Sequence, residues 1–306
     1  MALKLGANSI NKLYLGSTAI NKAYLGAGIL FSGGFSPASL FAGGQQGLWL
    51  EVVQSGEFYP ASLFAGGTEG AWYDPSDLST LFQDSAGTTP VTASGQPVGK
   101  MLDKSGNGNH ATQATSSKRP TYTEGSGLSW LAFDGVDDAM ATAAIDFTGT
   151  DKMSVFAGVR RVDNIPRILS ELSVDLNFNI GSFYLLSGKN RFTGFNSLAR
   201  GSGPWAASLE AGISSSPPQT AVLAVTHDVS GGFSTMRVNG VAGTSGTENE
   251  RMGNFGNYPM FIGARNQASL YFKGNIYGLI IPGKMASADE IASTEAYLAA
   301  KSGVTL

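Results

Sequence analysis

The chain has 306 residues, enough to bury a large core in one β domain with appendages or in two ordinary domains. Its net charge is −3, charged residues make up only 14% against the ~25% of an average soluble domain, and there is no cysteine. This composition excludes a disulfide framework, a thiolate site, a basic nucleic-acid interface and a membrane-spanning run of ~18 apolar residues. The 41 glycines favour a β protein in which tight turns join short strands.

The first 31 residues form a decapeptide repeat, written LGANSINKLY, LGSTAINKAY and then a shortened LGAGILF. Each unit has a polar, turn-prone centre and an apolar end, a pattern that predicts strand, turn and strand. Three such units bury too little surface for a core of their own. We therefore predict a docking arm over residues 1–31, with a loosely ordered tail as the alternative. The attachment residues expected in this arm are Leu15, Ile20 and Tyr24.

A duplicated segment occupies residues 32–74. The phrase FSPASLFAGGQQGLWLE begins at Phe35, and FYPASLFAGGTEGAWYD begins at Phe58. Each copy joins an apolar run to a Gly-Gly break and then to an aromatic strand. We predict two equivalent apolar plugs that link the arm to a displayed domain. Their attachment residues are Leu40 and Phe41 in the first copy, and Leu63 and Phe64 in the second.

From about residue 75 to residue 306 the pattern is one of strands and turns. TAVLAVTHDV and FSTMRVNGV flank a Ser-Gly-Gly turn, and Asn239-Gly240 predicts a second reversal directly afterwards. LYFKGNIYGLIIP alternates over 270–282 as a strand does. The sequence SADE at Ser287 has the form of a capping box, which predicts a helix over 287–301 that ends before Gly303. A β-sandwich with one C-terminal helix is the simplest architecture.

Five stretches of this region resemble laminin-G-like, concanavalin A-type jelly rolls in their order and spacing. They are LDKSGNGNHAT, LAFDGVDD, MSVFAGVRR, the VTHD and MRVNG pair, and FKGNIYGLIIPGKMASADEIASTEAYLAAKSGV. The resemblance covers roughly residues 72–304. It implies a mainly β fold: a concanavalin A-like, antiparallel β-sandwich jelly roll over 75–306, with an N-terminal β-repeat arm and a C-terminal helix.

The head of the chain resembles a narrower group. LGSTAINKAYLG and SLFAGGTEGAWYDPSDLSTLFQD are similar to segments of structural proteins of tailed bacteriophages and prophages, which place such leaders ahead of a lectin-like domain. This resemblance implies a non-enzymatic virion protein, either a tail fibre or spike or a head decoration. It would contact other virion proteins through its arm, assemble with itself as a homotrimer, and hold host polysaccharide. Because no signal-peptide stretch opens the chain, we expect synthesis in the host cytoplasm and a final location on the virion surface.

Calcium is the one cofactor for which the sequence contains a candidate binding pattern. The loop that begins at Asp103 has oxygen ligands at its first, third and fifth positions, the fifth being Asn107, and glycine at the sixth. Ala114 occupies position twelve, where an EF-hand needs glutamate, so we favour a structural loop without a cofactor. The alternative is a jelly-roll calcium site that combines Asp103 and Asn107 with Asp134, Asp137 and Asp138.

Catalytic patterns are weak. Glycoside cleavage needs two carboxylates about 5–9.5 Å apart across one groove, and no strand carries the E-x-D-x-x-E pattern of jelly-roll glycanases. His227 and Asp228 are adjacent in a predicted strand, so their side chains point to opposite faces, and we interpret His227 and His110 as structural. A non-enzymatic protein is therefore predicted. A glycan depolymerase on the same fold and a purely structural decoration are the alternatives.

Sugar binding is better supported, because aromatic faces, amides and arginines occur together in glycine-rich loops. We predict a glycan surface from two stretches, NRFTGFNSLARGSGPW and NFGNYP, although their aromatic residues also suit core or subunit packing. The other tryptophans, Trp49, Trp72 and Trp130, are assigned to the core. The predicted ligand residues are Phe195, Asn196, Arg200, Trp205, Asn257 and Tyr258.

Overall fold

The computed structural model describes residues 58–173, 180–188, 193–203, 208–247 and 253–306, together with six short strands in the first 32 residues. The chain divides into two compact units, Met1–Glu57 and Phe58–Leu306. The strands of the first unit are β1 (Lys4–Leu5), β2 (Asn8–Ser9), β3 (Leu13–Leu15), β4 (Thr18–Ile20), β5 (Lys22–Leu25) and β6 (Gly28–Ser32).

The first unit contains three antiparallel hairpins, which pair β1 with β2, β3 with β4, and β5 with β6. Leu5 pairs with Asn8, and Leu15 pairs with Thr18, so these two hairpins reverse at the start of a repeat. A glycine follows each of these leucines, as two-residue hairpin turns favour. The β-repeat is thus confirmed. Its docking role stays a prediction, and Leu40 and Phe41 lie outside the described residues.

The second unit is a sandwich of two antiparallel sheets, each with nine strands among the described residues. Sheet 1 runs in the order β18 (Ser208–Ile213), β17 (Phe195–Arg200), β16 (Phe183–Ser187), β15 (Arg167–Leu172), β23 (Asn257–Ile262), β13 (Met140–Asp146), β10 (Ala111–Thr112), β9 (Lys100–Met101) and β8 (Leu81–Phe82). Its inner face packs against that of sheet 2, and the apolar side chains between them form the main core.

Sheet 2 runs in the order β11 (Thr121–Gly125), β12 (Leu128–Asp134), β24 (Lys273–Pro282), β14 (Lys152–Arg161), β19 (Gln219–Asp228), β20 (Phe233–Val238) and β21 (Val241–Ala242). In addition, β22 (Gly246–Thr247) pairs with β20, and β7 (Gly70–Tyr73) pairs with β24. Short 3-10 turns cover Pro60–Gly67, Leu78–Thr80 and Ser116–Lys118. The predicted meander is present, because Asn239 and Gly240 both have positive φ between β20 and β21.

The C-terminal helix α1 (Ala288–Ser302) packs on the outer face of sheet 2. The hydroxyl of Ser287 accepts from the Glu290 N–H at 3.2 Å, and the Glu290 carboxylate accepts from the Ser287 N–H at 2.8 Å, which completes the predicted capping box. Gly303 ends the helix with φ of 70°. The mainly β sandwich with a C-terminal helix is therefore confirmed.

The second ASLFAGG copy belongs to the sandwich, and this corrects the predicted linker for its part from Phe58 to Asp74. Residues 33–57 of that linker lie outside the described residues. Leu63 and Phe64 are buried in a second core beneath α1, together with Trp72, Ile280 and Leu298. The strand β7 that follows extends sheet 2 through its pairing with β24. The sequence around β7 does not reveal that its partner strand, β24, lies about two hundred residues away. The segment was therefore predicted to be a linker. Because their side chains are buried within the sandwich, Leu63 and Phe64 are not available to attach the sandwich to a partner.

Candidate functional site

A groove of about 460 Å³ lies at one end of sheet 1. It forms where β13 ends and β23 begins, and where the chain leaves β17. We call it the Tyr258 groove. Its lining residues are Thr148, Ser202, Gly253, Asn254, Phe255, Gly256, Asn257 and Tyr258.

Backbone hydrogen bonds fix the floor of the Tyr258 groove. Phe255 is buried, and its N–H donates to the Thr150 carbonyl at 2.9 Å. The Gly256 N–H donates to the Gly181 carbonyl at 2.7 Å. These bonds hold three separate chain segments in one surface, so the groove is formed before any ligand arrives, as binding sites usually are.

Polar groups along the groove are themselves held in place. The Asn254 amide donates to the Thr148 carbonyl at 2.6 Å, and the Asn254 N–H donates to the Ser202 hydroxyl at 3.1 Å. The Asn257 side chain is exposed at the rim. Amides and hydroxyls that are positioned in this way offer both donors and acceptors to a polyhydroxylated ligand.

Tyr258 supplies the aromatic surface of the groove. Its hydroxyl donates to the Ile180 carbonyl at 3.1 Å. A Cβ at position 256 would lie 2.2 Å from the Tyr258 ring, so the ring packs directly over the glycine backbone. The half-buried ring therefore has a fixed orientation.

A carboxylate stands beside the groove at the end of β13. Asp146 is exposed, and hydrogen bonds from the hydroxyl and the backbone N–H of Thr148 lower its pKa. Asp146 is also the backbone partner of Asn257 across β13 and β23. The groove thus has one anionic neighbour that stays ionised at neutral pH.

The structure separates the six predicted ligand residues. Asn257 and Tyr258 line the groove, and Arg200 ends β17 two residues before Ser202. Trp205 lies outside the described residues. Phe195 and Asn196 are 0% exposed, so their prediction as ligand contacts is wrong.

Phe195 faces the core because alternate residues of β17 point inward. The guanidinium of Arg161 lies 5.2 Å from the centre of its ring. Arg161 is itself buried and donates to the carbonyls of Thr193 and Ser215 at 3.3 and 2.7 Å. At this end of β17, Arg161 therefore holds together the loops that contain Thr193 and Ser215 and has a structural role.

The side chains of the Asp103 loop form hydrogen bonds to neighbouring backbone and side-chain groups. Both carboxylate oxygens of Asp103 accept protein donors: Oδ1 from the N–H of Trp72 at 2.9 Å, and Oδ2 from the hydroxyl of Ser105 at 2.7 Å. The Asn107 amide donates to the Thr68 and Gly70 carbonyls at 3.0 and 3.1 Å. These bonds tie β7 and the turn before it to the sandwich. The alternative in which Asp103 and Asn107 hold calcium stays a prediction.

The remaining predicted calcium ligands do come together. Carboxylate oxygens of Asp134, Asp137 and Asp138, at the end of β12 and in the loop that follows it, lie within 4.8 Å of one another. Burial, followed by the charges of Asp134 and Asp137, raises the pKa of Asp138 to about 6. Three clustered carboxylates match the hard oxygen ligands of Ca²⁺, which takes 6–8 oxygens. The loop lies at the opposite end of β13 from the Tyr258 groove.

The histidines have no catalytic arrangement. His227 is buried between the sheets, where Nε2 lies 2.9 Å from the Ser197 hydroxyl and Nδ1 lies 2.6 Å from the Ser234 hydroxyl. His110 Nδ1 accepts from the Asp103 N–H at 3.0 Å. A serine and a histidine at hydrogen-bond distance look like part of a triad, but substrate has no access to a group in the core.

The fold has known counterparts, although no family model and no curated protein matches the chain. Domain 4 of AbnA, a GH43 extracellular arabinanase from Geobacillus stearothermophilus, in complex with arabinotriose, is similar with a TM-score of 0.50 and 16% identity, over 74% of this chain and 98% of that one. An arabinofuranosidase complexed with arabinofuranosyl-alpha-1,2-xylobiose gives a TM-score of 0.56 at 14% identity, over 80% of this chain and 65% of that one. The likenesses show a lectin-like β-sandwich fold.

None of the helices in the described part of the chain is long and apolar enough to cross a membrane.

Proposed function

We propose that the chain is a non-enzymatic carbohydrate-binding protein that uses the Tyr258 groove. The observation that carries the proposal is the preformed groove itself, in which an oriented aromatic ring stands next to fixed amides and hydroxyls. Aromatic rings stack on the C–H faces of sugars, while amides and hydroxyls bond their hydroxyl groups. The likeness to AbnA domain 4, which was solved with arabinotriose, supports the choice of a sugar as ligand.

We further propose that this sandwich is displayed on a virion and holds host surface polysaccharide. The support is the resemblance of the head of the chain to tailed-phage structural proteins, together with a β-hairpin repeat that forms its own unit. Leu15, Ile20 and Tyr24 would contact other virion proteins, and the assembly would be a homotrimer. A purely structural decoration is the alternative, and it predicts no glycan ligand.

Replacement of Tyr258 by alanine is expected to raise the Kd for a groove ligand at least tenfold, which corresponds to about 1.4 kcal/mol of lost binding free energy. The Tyr258→Phe variant keeps the ring and loses only the hydrogen bond to Ile180, so its Kd is expected to change less than threefold. Calorimetric titration with arabinotriose and with purified host polysaccharide measures both values. If Tyr258→Ala binds as tightly as the unmodified chain, the groove is not the site.

Sugar binding in the groove is expected to be independent of calcium. The three carboxylates that suit Ca²⁺ lie at the far end of β13, a strand of seven residues and hence ~20 Å long. Titrations in EDTA and in excess CaCl₂ should give the same Kd within twofold. A large loss of affinity in EDTA would place a metal in the groove and contradict this arrangement.

The second candidate function is a glycan hydrolase. The observation in its favour is the raised pKa of Asp138 next to the Asp134 carboxylate, since glycosidases pair a protonated and an ionised acid. However, these acids share one short loop and do not face each other across the groove. Release of reducing ends from a polysaccharide that the protein binds, abolished in an Asp138→Asn variant, would establish this alternative over the first.

A further inference from the structure

The outer face of sheet 2 carries a row of side chains that the Tyr258 groove does not include. Thr121 pairs with Ala132, Ala132 with Asn275, Asn275 with Arg160, and Arg160 with Thr220. Directly paired residues point to the same face, so these five form one line across five adjacent strands. All of them are half-buried or exposed. The line is therefore a solvent-facing, mostly polar surface.

Trp130 lies in the next row, where it pairs with Thr123. Its ring centre is 5.6 Å from that of Tyr277, at an interplanar angle of 56°. A Cβ at Gly125 would lie 3.3 Å from the indole, so the ring rests against a strand position that has no side chain. Trp130 is half-buried and not part of either core, which corrects its assignment to the core. The accessible part of its ring lies next to the polar row.

Arg160 gives this face a positive charge that no carboxylate in the described part of the chain contacts. Among the described residues no carboxylate lies within 4.0 Å of Arg160, which is exposed. In the row below, exposed Lys273 lies directly across from exposed Asp134 on the neighbouring strand. By contrast, Arg167, Arg237 and Arg265 each have a carboxylate within 4.0 Å. An anionic ligand therefore complements the face.

We propose that this face is a second binding site, for an acidic polysaccharide whose sugar units carry carboxylates. The Trp130 ring stacks on one sugar, and the guanidinium of Arg160 binds the carboxylate of a neighbouring unit in the bidentate geometry that arginine favours. Asn275, Thr220 and Thr123 bond the hydroxyls. Trp130 and Arg160 are two strands apart, ~10 Å across the sheet. An extended chain that crosses the strands thus reaches both.

Polygalacturonate and its carboxyl-reduced form are the probes, because they share a sugar backbone and differ in charge. We expect the unmodified protein to bind polygalacturonate at least tenfold more tightly than the reduced polymer at low salt, and the preference to shrink with added salt. Trp130→Ala should weaken binding of polygalacturonate at least tenfold, while Trp130→Phe restores most of it. Arg160→Gln should reduce the preference for the acidic polymer to within twofold.

Matched controls separate this site from the Tyr258 groove. Tyr258→Ala is expected to leave polygalacturonate binding unchanged within twofold, so failure of the groove and failure of the sheet face give different results. Arg160 is exposed, and an unchanged thermal midpoint in Arg160→Gln shows that the fold is intact. The proposal is overturned if the unmodified protein shows no preference for the acidic polymer, if Arg160→Gln keeps that preference, or if Tyr258→Ala alone abolishes binding.

Discussion

Replacement of Phe64 by alanine is expected to lower the free energy of unfolding of the sandwich by about 3–5 kcal/mol, the usual cost of removing a buried phenylalanine ring. The same change at the matching position of the first copy, Phe41→Ala, should leave that free energy unchanged within about 0.5 kcal/mol. The two variants delete the same ring from the same phrase, ASLFAGG. Urea denaturation followed by tryptophan fluorescence measures both.

The asymmetry follows from where the second copy lies. Phe64 is 5% exposed in the core beneath α1, next to Trp72 and Leu298. The copy contains Gly70, whose φ is 138° and whose Cβ, if present, would lie 1.9 Å from the carbonyl oxygen of Ile281. Only glycine permits this approach of β7 to β24. The first copy precedes the division of the chain between Glu57 and Phe58.

Gly70→Ala provides an independent check on the same packing, since it disturbs β7 without removing any core side chain. It should destabilise the sandwich strongly, whereas Gly47→Ala at the matching position should not. Equal losses from Phe41→Ala and Phe64→Ala would show that both copies pack in the sandwich. That result would contradict the division of the chain between Glu57 and Phe58.

Local signals in the sequence were sufficient for much of the fold. The turn at Asn239-Gly240 and the capping box at Ser287 are decided by neighbouring residues, and both are present as predicted. The alternation predicted through 270–282 is interrupted, because the pairing of β24 with β14 shifts between Gly158 and Val159. Leu279 therefore joins the main core, while Ile280 faces α1. Such a bulge depends on the partner strand, so the amino-acid sequence of β24 alone does not reveal it.

The candidate sites show the same limit. Asn257 and Tyr258 could be predicted to share a loop surface because an aromatic residue and an amide follow a glycine-rich turn, and both line the groove. The prediction that Phe195 contacts a ligand was wrong because the alternation of residues along β17 defines two faces but does not show which face points into the core. The row through Arg160 could not be predicted, since it depends on the register of five strands that are distant in sequence. The role of Asp103 likewise depends on a donor from Trp72, thirty-one residues away.

The second large effect expected is a dependence of stability on acid that originates at His227. Burial lowers the pKa of His227 to about 3 in the folded protein, against 6.5 for an exposed histidine. Between these values the unfolded chain binds a proton that the native protein does not. Stability therefore falls as the pH drops below 6.5, by about 1.4 kcal/mol per pH unit.

The contacts of His227 explain why the neutral ring is required. The Ser197 hydroxyl donates its hydrogen to the Tyr184 carbonyl at 2.9 Å, so it accepts from Nε2–H of the histidine. Nδ1 is then unprotonated and accepts from the Ser234 hydroxyl. A second ring proton would place an unpaired positive charge in the core, which is the costly state.

Protonation of Asp138 has the opposite effect on the pH dependence of stability. Its contribution must be measured separately from that of His227. Its folded pKa of about 6 lies above the usual 3.8, so the native state holds a proton that the unfolded chain has released, and stability rises as the pH falls from 6 to 4. We expect the two slopes nearly to cancel in the unmodified protein over that range. His227→Gln keeps one donor and one acceptor without titrating, and it should be destabilised at pH 7 yet gain stability towards pH 4.5.

Asp138→Asn provides the converse result, because it removes the opposing group and leaves His227 in place. Its free energy of unfolding should fall by about 1.4 kcal/mol for each pH unit below 6. Urea titrations at half-unit intervals between pH 4.5 and 7 resolve the three slopes. Parallel curves for the unmodified protein and His227→Gln would show that the histidine is not the acid-sensitive group. Slopes of opposite sign in the two variants would establish that a neutral histidine in the core and a partly protonated carboxyl on a loop together set the acid stability of the sandwich.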